Sequence, residues 1–351
     1  MPIEASTLEE TFRLLQQKLA RVVPAAELRI KAELVFEINR LKRERGALIL
    51  GHNYMEPALF HSVPDYTGDS LELSRLAAKT ECDPIIFCGV RFMAETAKIL
   101  NPKRMVLLPA RKAGCSLAES ITAEDVRELR RKYPGVPIVA YINTYADVKA
   151  EIDICCTSCN AARVVESLNA DTVIFLPDEY LAKNVARETG RRILLARPGA
   201  EVLELGQAGQ GPAMIGWQGR CEVHEKFTTE DIAGARAQFP GVMVLTHPEC
   251  SPEVVEASDY SASTSQMVKW VREKQAPSYL LLTECSMADN IIAENPDREI
   301  VRICSLRCPH MNEITLEDTL LALRENVVQI ELPADIIERA RLPIEKMLAV
   351  H

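Results

Sequence analysis

The chain has 351 residues, of which 47% are hydrophobic and 26% charged, the balance of a globular protein large enough for two or three domains. Its formal net charge of -9 argues against a nucleic-acid or membrane-surface partner, either of which calls for a basic face. No apolar run approaches the roughly 18 residues of a membrane span, and the acidic, amphipathic start MPIEASTLEETFRLLQQ reads as neither a signal nor a transit peptide. Eleven cysteines, an odd number with no secretion signal, point to a reduced cytoplasmic setting with some thiols used for metal or catalysis.

In chain order, residues 5–21 and 26–45 read as helices, the second closing on Gly46. The apolar run Ala47 to Leu50 is a buried strand that breaks into Gly51-His52-Asn53-Tyr54. A helix begins at Asp69 or Ser70, the next strand runs from Pro84 to Phe87, and RFMAETAKIL forms another helix. The strand at Met105–Leu108 then leads to a lone cysteine, Cys115. A second unit follows: helix 122–133, strand PIVAY ending at Tyr141, a helix capped by Thr157-Ser158, strand TVIF, helix EYLAKNVARE and strand RILLA, before Cys221. The third runs from helix 228–238 through strand MVLT to His247-Pro248-Glu249. It continues with a helix capped at Ser263-Thr264, strand SYLLL, helix SMADNIIAE and strand EIVRI, before Cys308. Two helices, 315–324 and 334–348, complete the chain. Alternating strand and helix predicts α/β architecture with parallel sheets.

The chain states one unit three times. Cys115 is followed seven residues later by Thr122 and then Asp125, Cys221 by Thr228 and Asp231, and Cys308 by Thr315 and Asp318. Thr-x-x-Asp opens a helix, because the hydroxyl accepts from a free first-turn N–H. The register predicts repeats at 1–121 (with helices 315–351 packing onto it), 122–227 and 228–351, arranged about a pseudo-three-fold axis. The repeat spacing is 106 residues from Thr122 to Thr228 and 87 from Thr228 to Thr315, so the second unit carries an insertion, read as a loop or small hairpin near 197–214.

Three equivalent thiols suit a shared metal centre. Zinc prefers four ligands and paired Cys-x-x-Cys spacing, whereas an iron–sulfur cluster on three cysteines leaves one iron open as a Lewis acid. Cys304 and the group Cys155, Cys156 and Cys159 are alternatives, but only Cys115, Cys221 and Cys308 share the repeat register. In open α/β sheets ligands bind beyond the carboxyl ends of the strands. Those positions carry His52 and Tyr54, Tyr141 and Asn143, and His247 and Glu249. Helix starts at Ser70, Ser158 and Ser263-Thr264 offer N–H groups to an anionic ligand.

The blocks GHNY, GDSLELSR, FCGVRFMAETAKIL, AGCSLA, YINTYADVKA, CTSCNA, FLPD, WQGRCEVHE, HPEC and CPHMNEIT, in that order over about residues 47 to 325, resemble quinolinate synthase. The resemblance implies three similar α/β domains about a pseudo-three-fold axis, with a central [4Fe–4S] cluster on Cys115, Cys221 and Cys308. It implies condensation of iminoaspartate with dihydroxyacetone phosphate to quinolinate, releasing phosphate and two waters, in de novo NAD synthesis. L-aspartate oxidase or an aspartate dehydrogenase would supply the iminoaspartate. By motif, His52 and Tyr54 match the family's active-site pair and Glu249 its acid–base carboxylate. Ser70, Tyr141, Asn143, Ser158, His224, His247, Ser263 and Thr264 match its substrate-binding positions. The chain departs from the family pattern at Gly51, Met55, Ala262 and Asn312 and in the long 197–214 insertion. A non-catalytic iron–sulfur redox sensor would use the same thiols without needing His52, Tyr54 and Glu249, and a zinc hydrolase would use the histidines as ligands.

Overall fold

The computed structural model of the chain describes residues 2–197, 202–203, 211–302 and 306–350. They form an α/β structure with three separate sheets, parallel apart from one short hairpin partner. The first sheet holds β1 (Leu48–His52), β2 (Tyr66–Gly68), β3 (Ile85–Cys88) and β4 (Val106–Leu107) in the order β2-β1-β3-β4. The second holds β5 (Ile138–Tyr141), β6 (Ile154–Cys156), β7 (Thr172–Leu176), β8 (Arg192–Ala196), β9 (Val202–Leu203) and β10 (Ala213–Trp217), ordered β6-β5-β7-β10-β8-β9. The third holds β11 (Met243–Thr246), β12 (Tyr260–Ser261), β13 (Tyr279–Leu282) and β14 (Ile300–Val301), ordered β12-β11-β13-β14. The strands are short apolar runs, as parallel strands covered on both faces require; β1, β3, β5 and β13 are buried along their whole length.

In each sheet the chain leaves the first strand for an edge strand and returns to pair on the other side. Crossovers therefore diverge between β1 and β3, between β5 and β7, and between β11 and β13, the point at which α/β sheets open a crevice. One electrostatic device recurs beside the first strand of every sheet. Asp65, Asp153 and Asp259 each accept the first free strand N–H, from Ile49, Ile138 and Val244, at 2.8 Å. Each also pairs with a cation from the preceding helix: Lys42 at 2.8 Å, Arg130 at 3.2 Å and Arg236 at 3.0 Å. A carboxylate so placed satisfies a strand-end donor and ties helix to strand, as a buried backbone donor demands.

Two sequence expectations are corrected. The strand RILLA is β8, but it does not take the place of β4 and β14. That place, next to the middle strand, belongs to β10, which the sequence reading missed. β4 starts six residues after helix Arg91–Leu100 ends and β14 six residues after helix Cys285–Glu294, whereas β10 starts twenty-five after helix Glu179–Glu188. The surplus of 19 equals the difference between the two repeat spacings, so the insertion lies just before β10 and comprises β8 and the hairpin partner β9. Most of the 197–214 segment lies outside the described residues. Thr157-Ser158 also do not cap the following helix, which starts at Ala161 with Asn160 before it. Asn160 turns its side chain back to accept the Thr157 N–H at 2.8 Å.

The last two helices divide their packing. Helix Leu316–Glu325 lies on helix Ala25–Arg45 and β3 of the first unit, and helix Ala334–Ala349 lies mainly on β6 and helix Ala146–Lys149 of the second. No described helix is long and apolar enough to cross a membrane. Thr122, Thr228 and Thr315 each accept from the N–H of the acid three residues on, at 3.2, 3.2 and 3.0 Å. Replacing any one with alanine should lower stability by about 1 kcal/mol, read as a lower urea midpoint. An unchanged midpoint in all three variants would show that these caps do not hold the units together.

Candidate functional site

The carboxyl ends of the three sheets converge on one cavity. Its wall includes Cys115, Cys221 and Cys308, His52 and Tyr54 after β1, Tyr141 and Asn143 after β5, and His247 and Glu249 after β11. Ser70, Ser158, His224 and Thr264 complete the set of sequence candidates that reach it. Ser263 does not line it; its hydroxyl donates to the Asp69 carboxylate at 2.9 Å.

The loops that carry these groups are clamped from behind. Asn290 donates to the carbonyls of Asn53 and Met55 at 3.1 and 2.9 Å, fixing the stretch around Tyr54. Asn184, at the equivalent place in the second unit, donates to Pro248 and Cys250 at 2.9 and 3.0 Å, fixing Glu249. The first unit has Thr96 at that place, and the task falls to the fully buried Lys149, whose ammonium meets the carbonyls of Ile142 and Thr144 on either side of Asn143. Gly51 is matched to this packing, since a Cβ there would lie 2.7 Å from the Pro64 ring.

The three thiols share one local geometry. Each stands just before a short helical turn: Ser116–Glu119, His224–Lys226 or Pro309–Asn312. Each sulfur takes hydrogen bonds from the backbone N–H groups two and three residues on, Leu117 and Ala118, Val223 and His224, and His310 and Met311. Burial pushes the free thiols up, Cys115 to about 12, Cys308 to about 11 and Cys221 well above its usual value. Backbone donors aimed at sulfur favour the thiolate, and a bound cation would complete what they begin. Cys304 lies outside the described residues.

Opposite stands a polar network centred on Glu249. Its Oε2 lies 2.6 Å from His224 Nδ1 and 3.5 Å from His247 Nδ1. Its other oxygen accepts from Asn143 Nδ2 at 3.3 Å, and the Tyr141 hydroxyl also donates to the carboxylate. Burial alone would raise the Glu249 carboxyl, but the adjacent His224, which is also hydrogen-bonded to it, holds it below the usual range. Tyr54 and Tyr141 are pushed well above the normal phenol by burial and by the Glu249 charge, so both are donors. His52 and His247 accept at Nδ1 from the backbone N–H of Tyr54 and Glu249, at 3.2 and 3.3 Å, which leaves Nε2 to carry the proton of a neutral ring. Cys221, His224 and Glu249 place potential ligand atoms within 4.8 Å of one another. The 2.6 Å contact between His224 and Glu249 is a hydrogen bond, closer than two ligands of one tetrahedral zinc ion stand.

Helices Ser70–Lys79 and Thr264–Glu273 bring their N-termini together across the first and third units. Asn53 Nδ2 donates to Thr264 Oγ1 at 2.9 Å, and Asp69 caps the first helix while receiving Ser263. Sequence reading missed Asp69, Thr283 and Glu284. The last two follow β13, the strand beside the switch point, and Asp178 occupies the same place as Glu284 after β7. Applying the strand-end rule to β13 as well as to β11 would have found Thr283 and Glu284.

Fold and cavity define a protein of three parallel α/β units whose strand ends combine three equivalent thiols with a buried acid–base network. A family model described as quinolinate synthetase A protein matches residues 36–349. Quinolinate synthase 2 of Mesorhizobium japonicum is 49% identical over 345 residues, 98% of this chain and 100% of that one. The quinolinate synthases of Agrobacterium fabrum and Xylella fastidiosa are 50% and 51% identical, covering 96% and 91% of this chain and 91% and 86% of their own. The chain belongs to the quinolinate synthetase A family.

Burial lowers His52 to about 4 and His247 to about 3, against which the Glu249 charge acts only in part. An unfolded histidine takes up its proton near pH 6.5, so below that pH the unfolded state binds protons that the folded state refuses. Stability should be unaffected by these rings above about pH 6.5. It should fall as pH drops from 6.5 toward 5, by up to about 1.4 kcal/mol per pH unit for each ring. Denaturant midpoints across that window test this, and a flat profile would contradict neutral, buried histidines.

Proposed function

We propose that the chain is a quinolinate synthase, condensing iminoaspartate with dihydroxyacetone phosphate to quinolinate, phosphate and two waters, within units 1–121, 122–227 and 228–351 set about a pseudo-three-fold axis. The observation that carries this reading is the meeting, in one cavity, of three thiols in identical N–H settings with the Tyr54–His224–Glu249 network. The donor set fits the iron–sulfur cluster that the family implies, and Cys115, Cys221 and Cys308 would hold a [4Fe–4S] form of it. When bound, that cluster supplies an iron without a protein ligand, a Lewis acid for a substrate oxygen.

The chain's own residues account for the remaining chemistry. Two carboxylates and a phosphate need positive ends and donors. The first turns at Ser70 and Thr264 supply N–H groups and hydroxyls, with Ser158 beside them and Ser263 held to Asp69 behind Thr264. Asn143 and Tyr141 orient the Glu249 carboxylate from one side and His224 from the other. Glu249, kept ionised, is the base suited to remove a carbon-bound proton in enolisation and isomerisation. Tyr54, kept protonated, is the acid suited to return one to a leaving or carbonyl oxygen. His52 and His247, neutral, donate from Nε2 to substrate oxygens without adding charge. Burial of the site limits hydrolysis of the imine, which water would attack. Iminoaspartate would come from an aspartate-oxidising enzyme such as L-aspartate oxidase or aspartate dehydrogenase.

Cys115→Ser, Cys221→Ser and Cys308→Ser should each abolish the brown iron–sulfur chromophore of anaerobically purified protein. Serine at Cys88, Cys155, Cys156 or Cys159 should leave iron and sulfide close to the unaltered level. Retention of a full cluster after loss of Cys308 would overturn the ligand assignment. In a separate test, Glu249→Gln and Tyr54→Phe should keep the cluster and lose quinolinate formation by ~10²-fold or more, the scale of a general acid–base group. Near-normal turnover in either variant would remove that residue from the reaction.

A further inference from the structure

Cys115, Cys221 and Cys308 sit on three different segments, yet one hydrogen bond recurs behind all of them. The carbonyl two residues before each cysteine accepts the first N–H of the helix that follows β3, β7 or β13. Ala113 accepts from Arg91 at 2.8 Å, Gly219 from Glu179 at 2.7 Å and Leu306 from Cys285 at 3.2 Å. The start of each helix is therefore a dock for a segment that carries a thiol. The residue just before the helix decides how far that dock extends, and it is Val90 in the first unit, Asp178 in the second and Glu284 in the third.

The three residues do different things. Val90 has no polar side-chain atom to offer, and the Cys115 N–H meets the Tyr145 hydroxyl instead. Asp178 accepts the Leu181 N–H at 2.7 Å with one oxygen, while its Oδ2 meets no partner among the described residues, at 0% exposure. Glu284 is one methylene longer. Its Oε2 accepts the Ser286 N–H at 2.7 Å, capping the helix, and its Oε1 accepts the N–H of Cys308 itself at 3.3 Å. Arg307 fastens the same segment, donating to Ser286 Oγ at 2.7 Å and to Asp289 Oδ2 at 2.9 Å. Glu284 is buried at the cavity wall. Glutamate is not among the residues that helices prefer as a cap, so capping alone does not account for it. The extra methylene is what carries an oxygen to Cys308.

We propose that Glu284 is a positioning residue for the third cluster ligand, fixing the backbone of Cys308 so that its sulfur is held in place for iron. The inference rests on the ligand assignment given above. The N–H groups of His310 and Met311 aim at the sulfur from the turn that follows the cysteine. Glu284 acts from the other side, on the N–H of the cysteine itself, so that the turn and its sulfur are tied to the start of helix Cys285–Glu294. Groups that hold a ligand from behind set how tightly its metal is kept. Glu284 therefore governs retention of the cluster through Cys308, whereas Asp178 only caps its helix.

The test is Glu284→Asp, which keeps a capping carboxylate but withdraws it by one methylene, the arrangement that Asp178 shows in the second unit. Anaerobically purified, cluster-loaded protein is mixed with an iron chelator and followed by visible absorbance. Amide hydrogen exchange is measured on the same samples by mass spectrometry. Glu284→Asp should release its iron ~10-fold faster or more. The Cys308 amide should exchange faster, while the Ser286 amide stays protected and the urea midpoint stays unchanged. Iron release at the unaltered rate would overturn the proposal. Equal loss of protection at Ser286 and Cys308 would overturn it in favour of a helix cap whose removal frays the whole segment. Should Glu284→Asp fail to fold, the unaltered holoenzyme decides. A protected Cys308 amide supports the contact, and an amide that exchanges at the rate of an open loop overturns it. An unaltered protein that takes up no iron and sulfide would remove the ligand assignment itself, a result distinct from any of these.

Discussion

Three thiols drawn from three sheets and buried at one cavity wall impose the constraint from which the rest follows. Left as thiols they waste six backbone donors, because a neutral sulfur is a poor acceptor. Left as bare thiolates they repel one another in a medium that screens weakly. A cationic centre between them would resolve both problems, and each sulfur has the same pair of N–H groups beside it. That requirement accounts for the repeat register. A short turn must follow each cysteine to aim those N–H groups, and a threonine-capped helix must then restart the chain in the same place.

The same economy governs the opposite wall. Glu249 carries a charge at 3% exposure, and such a charge persists only when hydrogen-bonded on every side. Asn143 and Tyr141 come from the second unit, as does His224, while the carboxylate belongs to the third. The clamps behind these loops cross units as well, Asn290 holding the first and Asn184 the third. Each unit therefore supplies part of the site, and the second and third units also support a neighbour's share, whereas Lys149 clamps the loop of its own unit. Loss of one clamp is expected to loosen a loop of another unit, which links stability of the sheets to the geometry of the acid–base groups.

Much of this was legible in the sequence because it rests on local rules. Thr-x-x-Asp marked three helix starts to the residue, and apolar runs ending in polar residues marked the first strand of each sheet together with His52, Tyr141 and His247. What the sequence concealed depended on partners distant in the chain. β10 reads as a loop remnant after a Gly- and Pro-rich stretch, and only its pairing with β7 and β8 makes it the inner strand. Thr157-Ser158 has the composition of a cap, but the helix starts only at Ala161, and Asn160 before it turns its side chain back to the Thr157 N–H. Ser263 reads as a ligand-facing hydroxyl, yet its hydrogen bond goes to Asp69, 194 residues away. Thr283 carries no local signal, and its partners Tyr54 and His224 arrive from two other units.

The central claim is that the three thiols hold one iron–sulfur cluster with one iron open to substrate. Its most direct test is Mössbauer spectroscopy of iron-57-loaded, anaerobically purified protein, with and without quinolinate. The account predicts a four-iron cluster in which the product shifts the spectrum of one iron and leaves the other three unchanged. A spectrum identical with and without saturating quinolinate, or a protein that holds zinc and no sulfide, would contradict it.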